Sequence, residues 1–528
     1  MQISSSCDKS RSSFISTLQK SYATQIKKET GIQSDVFAKA RKAQKIWGQY
    51  SFSQRRGFIQ TIESYIAKNV DAIVLEVQKA TGKTKVDALT TEVISCLLAC
   101  QWYGKKAEKI LRPKRLANST VLFANKRSEI HHLPMGVVAI ISPWNYPLSI
   151  PFGEIIMGLM AGNAILLKVA SNVQLVGRLI ETIINQAKLP SGLFQLVEGS
   201  GQDVSNFFFA NRVDKIFFTG SVPVGKGLMK QASETLTPLS LELGGNDPMI
   251  VLEDANLERA SNGACWGAFQ NCGQTCAGIE RVYVAEKIYD DFLELVIKKT
   301  KALRHGCKTK KTVEIGGLTT RKQFDTISGQ VEEALQKGAK IVAQSRGLDE
   351  ENSLTYPATV LIDVDHSMRI MKDETFGPVL CLMSFNSVEE AIFLANDSNL
   401  GLTSSVWSKN VKEARKIATK IEAGVTCVND HLYTHALSET PWGGVKESGL
   451  GRTHGSEGLK EMTQTKLINW DLFSGKRNIF WYPVDKNTYN QMKSIITFLH
   501  PENFSSFVKG TYELCRFSIK KMFSSWKV

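Results

Sequence analysis

The chain has 528 residues, of which 43% are hydrophobic and 22% charged, and its formal net charge is +14. This length exceeds one ordinary hydrophobic core, and the composition excludes disordered and collagen-like chains. The positive charge is compatible with a nucleic acid, a membrane surface or an anionic ligand, and equally with a solvated basic surface. We predict several globular domains and no nucleic-acid partner.

The first elements to consider are the N-terminal stretch and the cysteines. Residues 1–35 lack the apolar segment of a secretory signal, which predicts a polar arm, and their Ser/Arg/Lys bias leaves an organelle import segment as the alternative. Ten cysteines are too few for a disulfide framework, and none has the spacing of a zinc site. We therefore expect reduced thiols, no metal and a cytoplasmic protein, with membrane association as the alternative.

Residues 36–112 carry apolar residues at helical spacing, and 113–133 follow as an extended hairpin. Five short apolar runs then alternate with amphipathic helices, and seven more strand-like runs follow in the second half of the chain. The long apolar run 136–167 contains prolines and Glu154, which favours a buried strand–loop–helix–strand over a membrane span. Because strands rich in Val, Ile and Leu that alternate with helices are typical of parallel sheets, we predict two α/β units.

The C-terminal segment 476–528 has a different composition, with eleven aromatic residues and nine Lys or Arg against three acids. From Phe504 onward, apolar residues recur at helical spacing, while basic residues occupy other faces. Such a helix lies on an anionic membrane surface or docks on the protein's own body. Both interpretations stay open, and a peripheral membrane contact is assigned to 503–528.

Three strand ends carry polar residues that suit a nucleotide-binding or catalytic site. The turn "FTGSVPVG" leads from a strand into a helix through Gly220, Ser221 and Gly225, and backbone N–H groups at such a turn bind phosphate. The middle glycine of the usual fingerprint is missing. Lys168 ends another strand. Its side chain either contacts a ribose or phosphate of a ligand or is an ordinary surface lysine. Glu242 ends a third, where desolvation raises a carboxyl pKa toward general-base range, unless a basic neighbour pairs with it.

The stretch "NCGQTCAGIER" places Cys276 among small polar residues ahead of a strand, whereas other cysteines lie in apolar runs. A thiol in such a loop is a candidate nucleophile. Attack on a carbonyl also requires hydrogen-bond donors for the oxyanion. Asn145, in "SPWNYP", follows the first strand and is a candidate donor at the same edge of the sheet.

Together these segments resemble the aldehyde dehydrogenase superfamily over about residues 36–470. The motifs that carry the resemblance occur in the family's order, and they are "PWNYP", "FTGS", "LELGG", "FQNCGQTC", "ETFGPV" and "PWGGVKESGLGR". The resemblance implies an α/β fold with a Rossmann-like cofactor domain, a second α/β catalytic domain and a small β oligomerisation hairpin. The corresponding ranges are 36–112 and 134–243 for NAD(P) binding, 244–445 for catalysis, 113–133 and 455–472 for oligomerisation, and 473–528 for a basic, aromatic extension.

The resemblance also implies catalytic roles. Cys276 matches the nucleophile, which attacks an aldehyde to give a thiohemiacetal, and Asn145 with the backbone N–H of Cys276 matches the oxyanion hole. After hydride transfer to the cofactor, Glu242 matches the base that activates water to hydrolyse the thioester. The implied reaction is the oxidation of a small-molecule aldehyde to its carboxylic acid. Relatives that transfer the acyl group to coenzyme A typically lack this glutamate.

Cofactor contacts follow from the same resemblance, which implies NAD or NADP. At the nicotinamide end, Glu374 matches the residue that binds the ribose, and Phe376 matches the one that packs near the ring. Ser221, with Gly220 and Gly225, matches the pyrophosphate turn, and Lys168 matches the contact to the adenosine ribose. Trp144 matches a neighbour of the cofactor and the substrate tunnel.

Ser171 departs from the family pattern. Most NAD-preferring members have a glutamate here that binds the ribose hydroxyls. A carboxylate would repel a 2′-phosphate, whereas a serine does not, so we predict that NADP is accepted.

Substrate and assembly are also inferred by resemblance. The tunnel-entrance candidates, such as 433–437, are mostly apolar, which favours medium or long aliphatic, or aromatic, aldehydes. The alternatives are a semialdehyde dehydrogenase, such as one for succinate semialdehyde, and a membrane-surface protein that acts through its extension. A homodimer or homotetramer is expected. Cys272 has no matching role and is interpreted as a tunnel-lining neighbour that forms a reversible, inactivating disulfide with Cys276 under oxidation.

Overall fold

The computed structural model describes residues 35–118, 120–307, 312–348 and 354–523. The predicted polar arm and its alternative, the import segment, lie outside these residues except for Asp35, and so do the last five residues of the extension. No helix within the described ranges is long and apolar enough to cross a membrane.

The helices alternate with strands through most of the chain. In chain order they are α1 (Val36–Trp47), α2 (Phe52–Lys68), α3 (Val70–Thr81), α4 (Lys85–Asp87), α5 (Ile94–Leu111), α6 (Ser149–Ala161), α7 (Gln174–Asn185), α8 (Gly201–Ala210), α9 (Val222–Thr235), α10 (Leu257–Phe269), α11 (Tyr289–Ala302), α12 (Arg321–Gln336), α13 (Val388–Asn396), α14 (Val411–Ala418), α15 (Gly455–Glu461), α16 (Thr488–Leu499) and α17 (Phe504–Phe523).

The strands of the described residues form five sheets. In chain order they are β1 (Lys114–Leu116), β2 (Lys126–Pro134), β3 (Val137–Ile141), β4 (Ala164–Lys168), β5 (Phe194–Leu196), β6 (Lys215–Thr219), β7 (Leu239–Glu242), β8 (Asp247–Val251), β9 (Ile279–Ala285), β10 (Arg304–His305), β11 (Lys340–Gln344), β12 (Arg346–Gly347), β13 (Thr359–Ile362), β14 (Val379–Phe385), β15 (Leu400–Gly401), β16 (Thr403–Trp407), β17 (Val425–Val428), β18 (Val445–Lys446), β19 (Gly449–Leu450) and β20 (Thr463–Asp471).

The first large sheet contains the five predicted strands in the order β19-β7-β6-β3-β4-β5. All neighbours are parallel except the short β19, which runs antiparallel to β7. Strands β4 and β6 are buried along their whole length, as expected for a sheet covered by helices on both faces. The apolar run 136–167 forms β3, a loop, α6 and β4, and every residue of α6 is buried because that helix is apolar all round.

The second large sheet has the order β11-β13-β14-β9-β8-β16-β17 and contains all seven strand-like runs of the second half of the chain. Only β11 runs antiparallel to its neighbour. The predicted combination of a Rossmann-like sheet with a second α/β sheet is therefore confirmed. In both sheets the carboxyl ends of parallel strands form one edge, where ligands bind in open α/β folds.

The described residues divide into two compact units. Residues 35–111 and 133–464 form the larger unit, which contains both large sheets. Residues 112–132 and 465–523 form the smaller unit. In the smaller unit, β1 pairs with β2 as an antiparallel hairpin, β20 adds a third strand, and α16 packs against α17.

Candidate active site

Two cavities of the larger unit open on the same side chain, Cys276. The first has a volume of about 320 Å³ and includes Trp144, Asn145, Gly220, Ser221, Cys276, Glu374 and Phe376 in its wall. The second has a volume of about 240 Å³ and includes Thr90, Thr91, Ser95, Tyr146, Ile150, Trp266, Cys276, Ala277, Leu432, Tyr433, His435, Ala436 and Trp442. Because the half-buried Cys276 is common to both walls, ligands in the two cavities would meet at its thiol.

The loop that carries Cys276 has an unusual backbone between α10 and β9. Three consecutive residues, Asn271, Cys272 and Gly273, have positive φ values of 54°, 57° and 68°. The Asn271 side chain stabilises this turn because its Nδ2 donates to the Gln274 carbonyl at 2.9 Å and to the Asn145 carbonyl at 3.3 Å. The Cys276 loop and the Asn145 loop are therefore held in one hydrogen-bonded arrangement.

Two glycines let other backbone segments approach this loop. A Cβ on Gly273 would lie 2.1 Å from the carbonyl carbon of Gly377, and a Cβ on Gly245 would lie 2.1 Å from the Cys276 carbonyl oxygen. Real Cβ atoms do not tolerate such distances, so only glycine allows these contacts. The motifs "LELGG", "NCGQTC" and "ETFGPV" thereby meet at one point, which explains their glycines.

Asn145 is 3% exposed, and its Oδ1 has no hydrogen-bond partner among the described residues. Its loop is held by Glu92, whose Oε2 accepts from the backbone N–H of Leu148 at 3.0 Å and of Ser149 at 2.8 Å. Glu92 also forms a fully buried ion pair with Lys83 at 2.8 Å. Sequence reasoning missed this pair, although the acidic Glu92, just ahead of the apolar start of α5, was an available signal.

Glu242 ends β7 and is 6% exposed, and neither of its carboxyl oxygens has a hydrogen-bond partner in the described structure. Burial raises its pKa well above the usual range, the nearby Glu154 raises it further, and Arg452 acts in the opposite direction. Glu242 lines neither cavity, and a Cβ on Gly443 would lie 2.9 Å from its Oε1. Glu154, on α6, was not singled out as a site residue, and burial raises its pKa to about 8.

The Cys276 thiol lies in an environment that disfavours its anion. Burial raises its pKa, and the carboxylates of Glu374, Asp247 and Glu242 raise it further. The thiol is therefore protonated at neutral pH, and reaction with an electrophile requires its deprotonation.

The first cavity has the features of a dinucleotide site. Helix α9 starts after Ser221, whose side chain makes no capping hydrogen bond, so the first-turn N–H groups remain available to an anion. Gly220 precedes it, and its N–H donates to the Glu242 carbonyl at 3.0 Å. Gly225 lies one turn into α9, where a Cβ would come within 2.7 Å of Leu243 Cδ2, so this glycine sets how closely the helix packs on the strand end. These residues fit a pyrophosphate.

The opposite wall of this cavity carries Glu374 and Phe376. Glu374 Oε1 accepts from the Gly245 N–H at 2.9 Å, and burial raises the Glu374 pKa to about 7. The Phe376 ring meets the Trp144 ring edge to face at 5.4 Å. Sequence reasoning missed Glu280, which follows the Cys276 loop on β9 and holds this segment by accepting from the backbone N–H of Phe376 at 2.8 Å.

Lys168 and Ser171 lie at the carboxyl end of β4 and line neither cavity. The interpretation of Lys168 as a surface lysine is wrong, because it is 5% exposed, and its Nζ donates to the Val169 carbonyl at 2.9 Å. Burial lowers its pKa. Ser171 is exposed and begins a short 3₁₀ turn.

Cys272 is fully buried in the hydrophobic core of the second sheet and lines neither of the two cavities. The tunnel-lining interpretation of Cys272 is therefore wrong. Its thiol packs as an apolar group, and burial raises its pKa to about 12.

The second cavity is mainly apolar and has no Lys or Arg among its lining residues. Its histidine, His435, packs edge to face on Trp442 at 5.0 Å, and burial lowers its pKa to about 4, so it is neutral at physiological pH. Thr90 and Thr91 reach the cavity from a π-helical segment, Ala88–Val93, that precedes α5. Such segments are frequent at functional sites, and periodicity gave no sign of this one. Elsewhere in the described chain, no group of three His, Cys, Asp or Glu residues is placed to hold a metal ion.

A sequence profile of the aldehyde dehydrogenase family matches residues 7–468. The chain belongs to the aldehyde dehydrogenase family and is an NAD(P)-dependent oxidoreductase, which confirms the resemblance, the enzyme class and the cofactor type. A 4,4′-diapolycopene aldehyde oxidase from a Methylomonas species is 36% identical over 467 residues, which cover 88% of this chain and 86% of that protein. A putative succinate-semialdehyde dehydrogenase [NADP(+)] from Mycolicibacterium smegmatis is 35% identical over 443 residues, which cover 83% and 85%.

Solved structures show the same similarity. The structure of betaine aldehyde dehydrogenase from Staphylococcus aureus in complex with NAD+ matches with a TM-score of 0.78 and 29% identity, and the match covers 87% of this chain and 89% of that one. An NADP-dependent enzyme from E. coli matches with a TM-score of 0.79 and 28% identity, over 83% of this chain and 89% of that one.

Proposed function

We propose that this chain oxidises apolar aldehydes to carboxylic acids with Cys276 as the nucleophile. The observation that carries the proposal is the position of Cys276 in the walls of two cavities. One cavity has the helix start and the carboxylate that suit a dinucleotide, and the other is apolar and has no cationic side chain in its wall. An aldehyde in the second cavity would present its carbonyl carbon to the sulfur beside the nicotinamide.

In the proposed first step, the Cys276 sulfur bonds to the carbonyl carbon, and the thiol proton passes to solvent water. Asn145 Nδ2 and the Cys276 backbone N–H donate to the oxygen that becomes negative. The buried Glu92–Lys83 pair supports this role because it fixes the Asn145 loop in place. A bound NAD(P)+ would supply the hydride acceptor for this carbon, and the Cys276 sulfur would then carry the acyl group as a thioester.

Glu242 is the proposed base for hydrolysis of that thioester. Its carboxyl group lies outside both cavities, so the side chain must rotate to reach a water molecule beside Cys276. Neither carboxyl oxygen has a hydrogen-bond partner among the described residues, so the rotation breaks no hydrogen bond. Water then attacks the thioester carbon as one of its protons passes to the Glu242 carboxylate. The carbon–sulfur bond breaks, the carboxylic acid leaves, and the Cys276 sulfur takes up a proton to restore the resting thiol.

The apolar second cavity supports an apolar substrate over a semialdehyde. Two of the relatives act, by name, on a diapolycopene aldehyde and on succinate semialdehyde, which differ greatly in polarity. The carboxylate of succinate semialdehyde needs a cationic or multiply hydrogen-bonding partner. The wall contains no Lys or Arg, and His435 is neutral. A carboxylate there would therefore have only uncharged donors, such as the Thr90, Thr91 and Ser95 hydroxyl groups. We therefore propose medium or long aliphatic, or aromatic, aldehydes as the substrate class.

An aldehyde panel tests this function. Hexanal, dodecanal, benzaldehyde and succinate semialdehyde are compared by kcat/KM, read as NAD(P)H absorbance, with both cofactors. We expect the apolar aldehydes to exceed succinate semialdehyde by at least about tenfold. Cys276→Ala, which removes the sulfur but leaves the cavities, is expected to abolish turnover while retaining cofactor binding. A preference for succinate semialdehyde would refute the substrate class, and turnover by Cys276→Ala would refute the nucleophile.

We also propose a homo-oligomer assembled through the three-stranded sheet of the smaller unit. Strand β20 is the edge strand of that sheet, and its Leu467, Ile468 and Trp470 side chains are exposed. Unpaired edges with exposed apolar side chains pair readily with another chain. A second copy is the natural partner, as in a family whose members are typically oligomeric.

A further inference from the structure

Helix α17 of the smaller unit has two different apolar faces. Its inner face packs within the unit and contains the buried residues Gly510, Leu514, Phe517 and Lys521. A Cβ on Gly510 would lie 2.8 Å from the Phe498 backbone nitrogen, so this glycine allows α17 to approach α16 closely. The helix therefore docks on its own unit, as one of the two sequence interpretations expected.

The outer face of α17 carries an exposed apolar stripe, made of Phe504, Val508, Tyr512, Ile519 and Phe523. Their spacing of four, eight, fifteen and nineteen residues from the first places them on one side of a helix. Phe504 is 81% exposed and Phe523 is 70% exposed. Because the helix has 20 residues, the stripe is about 30 Å long. A stripe of this size, so exposed, is typical of an interaction surface.

Three exposed basic residues, Lys509, Arg516 and Lys520, run beside the stripe. They are spaced by seven and four residues, so they follow the stripe along one flank rather than scatter around the helix. No acidic residue belongs to the stripe, and the one acid of α17, Glu513, lies next to the basic flank, four residues after Lys509 and three before Arg516. The surface therefore combines aromatic and aliphatic side chains with positive charge on one side of a single helix.

Two kinds of partner would cover such a stripe, a second copy of the chain and a lipid surface, and the charges beside the stripe distinguish between them. A second copy of the chain would supply another apolar stripe and another basic flank, and its α17 would offer only one acid, Glu513, to the three basic side chains. An anionic lipid surface supplies both an apolar interior for the stripe and negative headgroups for Lys509, Arg516 and Lys520.

We propose that the apolar stripe and basic flank of α17 form a docking surface for anionic lipid bilayers, on which the helix lies parallel to the membrane plane. The aromatic and aliphatic side chains enter the boundary between headgroups and acyl chains, and the basic side chains bind lipid phosphates and carboxylates. The docking is peripheral, and it is independent of the proposed chemistry at Cys276. It would bring the enzyme to the phase in which long apolar aldehydes concentrate.

Vesicle flotation of the full chain tests this inference. We expect the protein to float with vesicles of phosphatidylcholine and phosphatidylserine, and at least about tenfold less with phosphatidylcholine alone. Val508→Ser with Phe523→Ser is expected to reduce flotation by at least about tenfold. The matched control is Val411→Ser with Phe393→Ser in the larger unit, because the paired side chains have equal exposures of 50% and 70%. This control is expected to float like the unaltered protein.

The contribution of the basic flank to lipid binding is tested with a separate variant and its control. Lys509→Gln, Arg516→Gln and Lys520→Gln together should reduce flotation on anionic vesicles and remove its salt sensitivity. The matched control is the triple variant Lys412→Gln, Arg415→Gln and Lys420→Gln, which changes three exposed basic residues of the larger unit.

Three outcomes would overturn the inference. In the first, the unaltered protein does not float with anionic vesicles. In the second, the stripe variant floats as well as its control variant. In the third, the stripe variant still floats but has lost the mass of an oligomer. Turnover of hexanal is also measured for each variant in buffer without vesicles. This assay tests the proposed catalytic function separately, so the failure of one proposal can be distinguished from the failure of the other.

Discussion

Among single residues, the buried carboxyl groups of Glu242 and Glu154 have the largest consequence for chemistry. Each has at least one oxygen without a hydrogen-bond partner in the described structure, and burial raises the pKa of both. The charge of Glu154 raises the pKa of Glu242 further. A base that hydrolyses a thioester must be ionised, so burial and, after it, the charge of Glu154 raise the pH at which Glu242 becomes competent in the proposed mechanism.

Replacing Glu154 with glutamine removes one charge from this pair and keeps its volume. Because Glu154 raises the pKa of Glu242, Glu154→Gln should lower that pKa and move the acidic limb of the kcat profile to lower pH. The measurement is kcat for hexanal between pH 5 and 9. An unchanged profile would show that Glu154 does not influence the base.

The same variant changes how stability depends on pH. The Glu154 pKa is raised from 4.5 to about 8, so its neutral form stabilises the fold below pH 4.5, and this contribution is lost as the pH rises toward 8. Urea unfolding at pH 5 and pH 8 should therefore show a smaller loss of stability for Glu154→Gln than for the unaltered protein. A variant with the same pH dependence would contradict the assignment.

Ser171 offers a second test at a single position. A glutamate there would bond the ribose hydroxyls of NAD and repel the 2′-phosphate of NADP. We expect Ser171→Glu to lower kcat/KM for NADP by about tenfold or more, and to leave kcat/KM for NAD unchanged or higher. Ser171→Gln, which has the same length without the charge, is the control. Equal effects of the two changes would show that repulsion is not the cause.

Among the elements, the loop between α10 and β9 depends on backbone contacts that only glycine permits. Gly273 combines a φ of 68° with a backbone neighbour 2.1 Å from where a Cβ would be. Gly338, at the end of α12, has a φ of 106° but has nothing within 4 Å of that position. Substitution of Gly338 therefore costs only the strain of a positive φ, whereas substitution of Gly273 adds a steric collision to that strain.

Gly273→Ala should lower the free energy of unfolding by more than about 2 kcal/mol relative to Gly338→Ala, because the added methyl collides with the Gly377 backbone. Urea denaturation of both variants gives the comparison. A residual turnover well below that of Gly338→Ala is also expected, since the collision displaces the loop that carries Cys276. Equal stabilities would indicate that the two backbone segments separate without cost.

For the whole molecule, assembly is the property that a single chain leaves open. Leu467 on the edge strand β20 is 60% exposed, and a charge at this position would disfavour pairing with a second copy. Leu467→Glu should shift the mass measured by light scattering from a multiple of 58.6 kDa toward 58.6 kDa. Leu236→Glu, at an 86% exposed position of the larger unit, is the control. Retention of the multiple by Leu467→Glu would place the interface elsewhere.

Much of the architecture could be predicted from local patterns. Every strand of the two large sheets that was inferred from an apolar run is present, because a run of Val, Ile and Leu between helices has few stable alternatives to a buried parallel strand. The motif glycines were identified for the same reason, since the backbone at these positions demands their residue type. Cys276 was chosen for the chemistry that a thiol can perform, and its role as the nucleophile stays a prediction.

Other features depended on residues far apart in the chain. Glu242 and Glu154, or Glu92 and the Asn145 loop, become neighbours only when helices pack on a sheet, and no pattern within either segment indicates the partner. The burial of Lys168, the packing of Cys272 in the core and the exposed stripe of α17 are likewise set by what covers each side chain. Hydrophobic periodicity is a local property of the chain, whereas the solvation and pKa of a side chain are set by its three-dimensional surroundings.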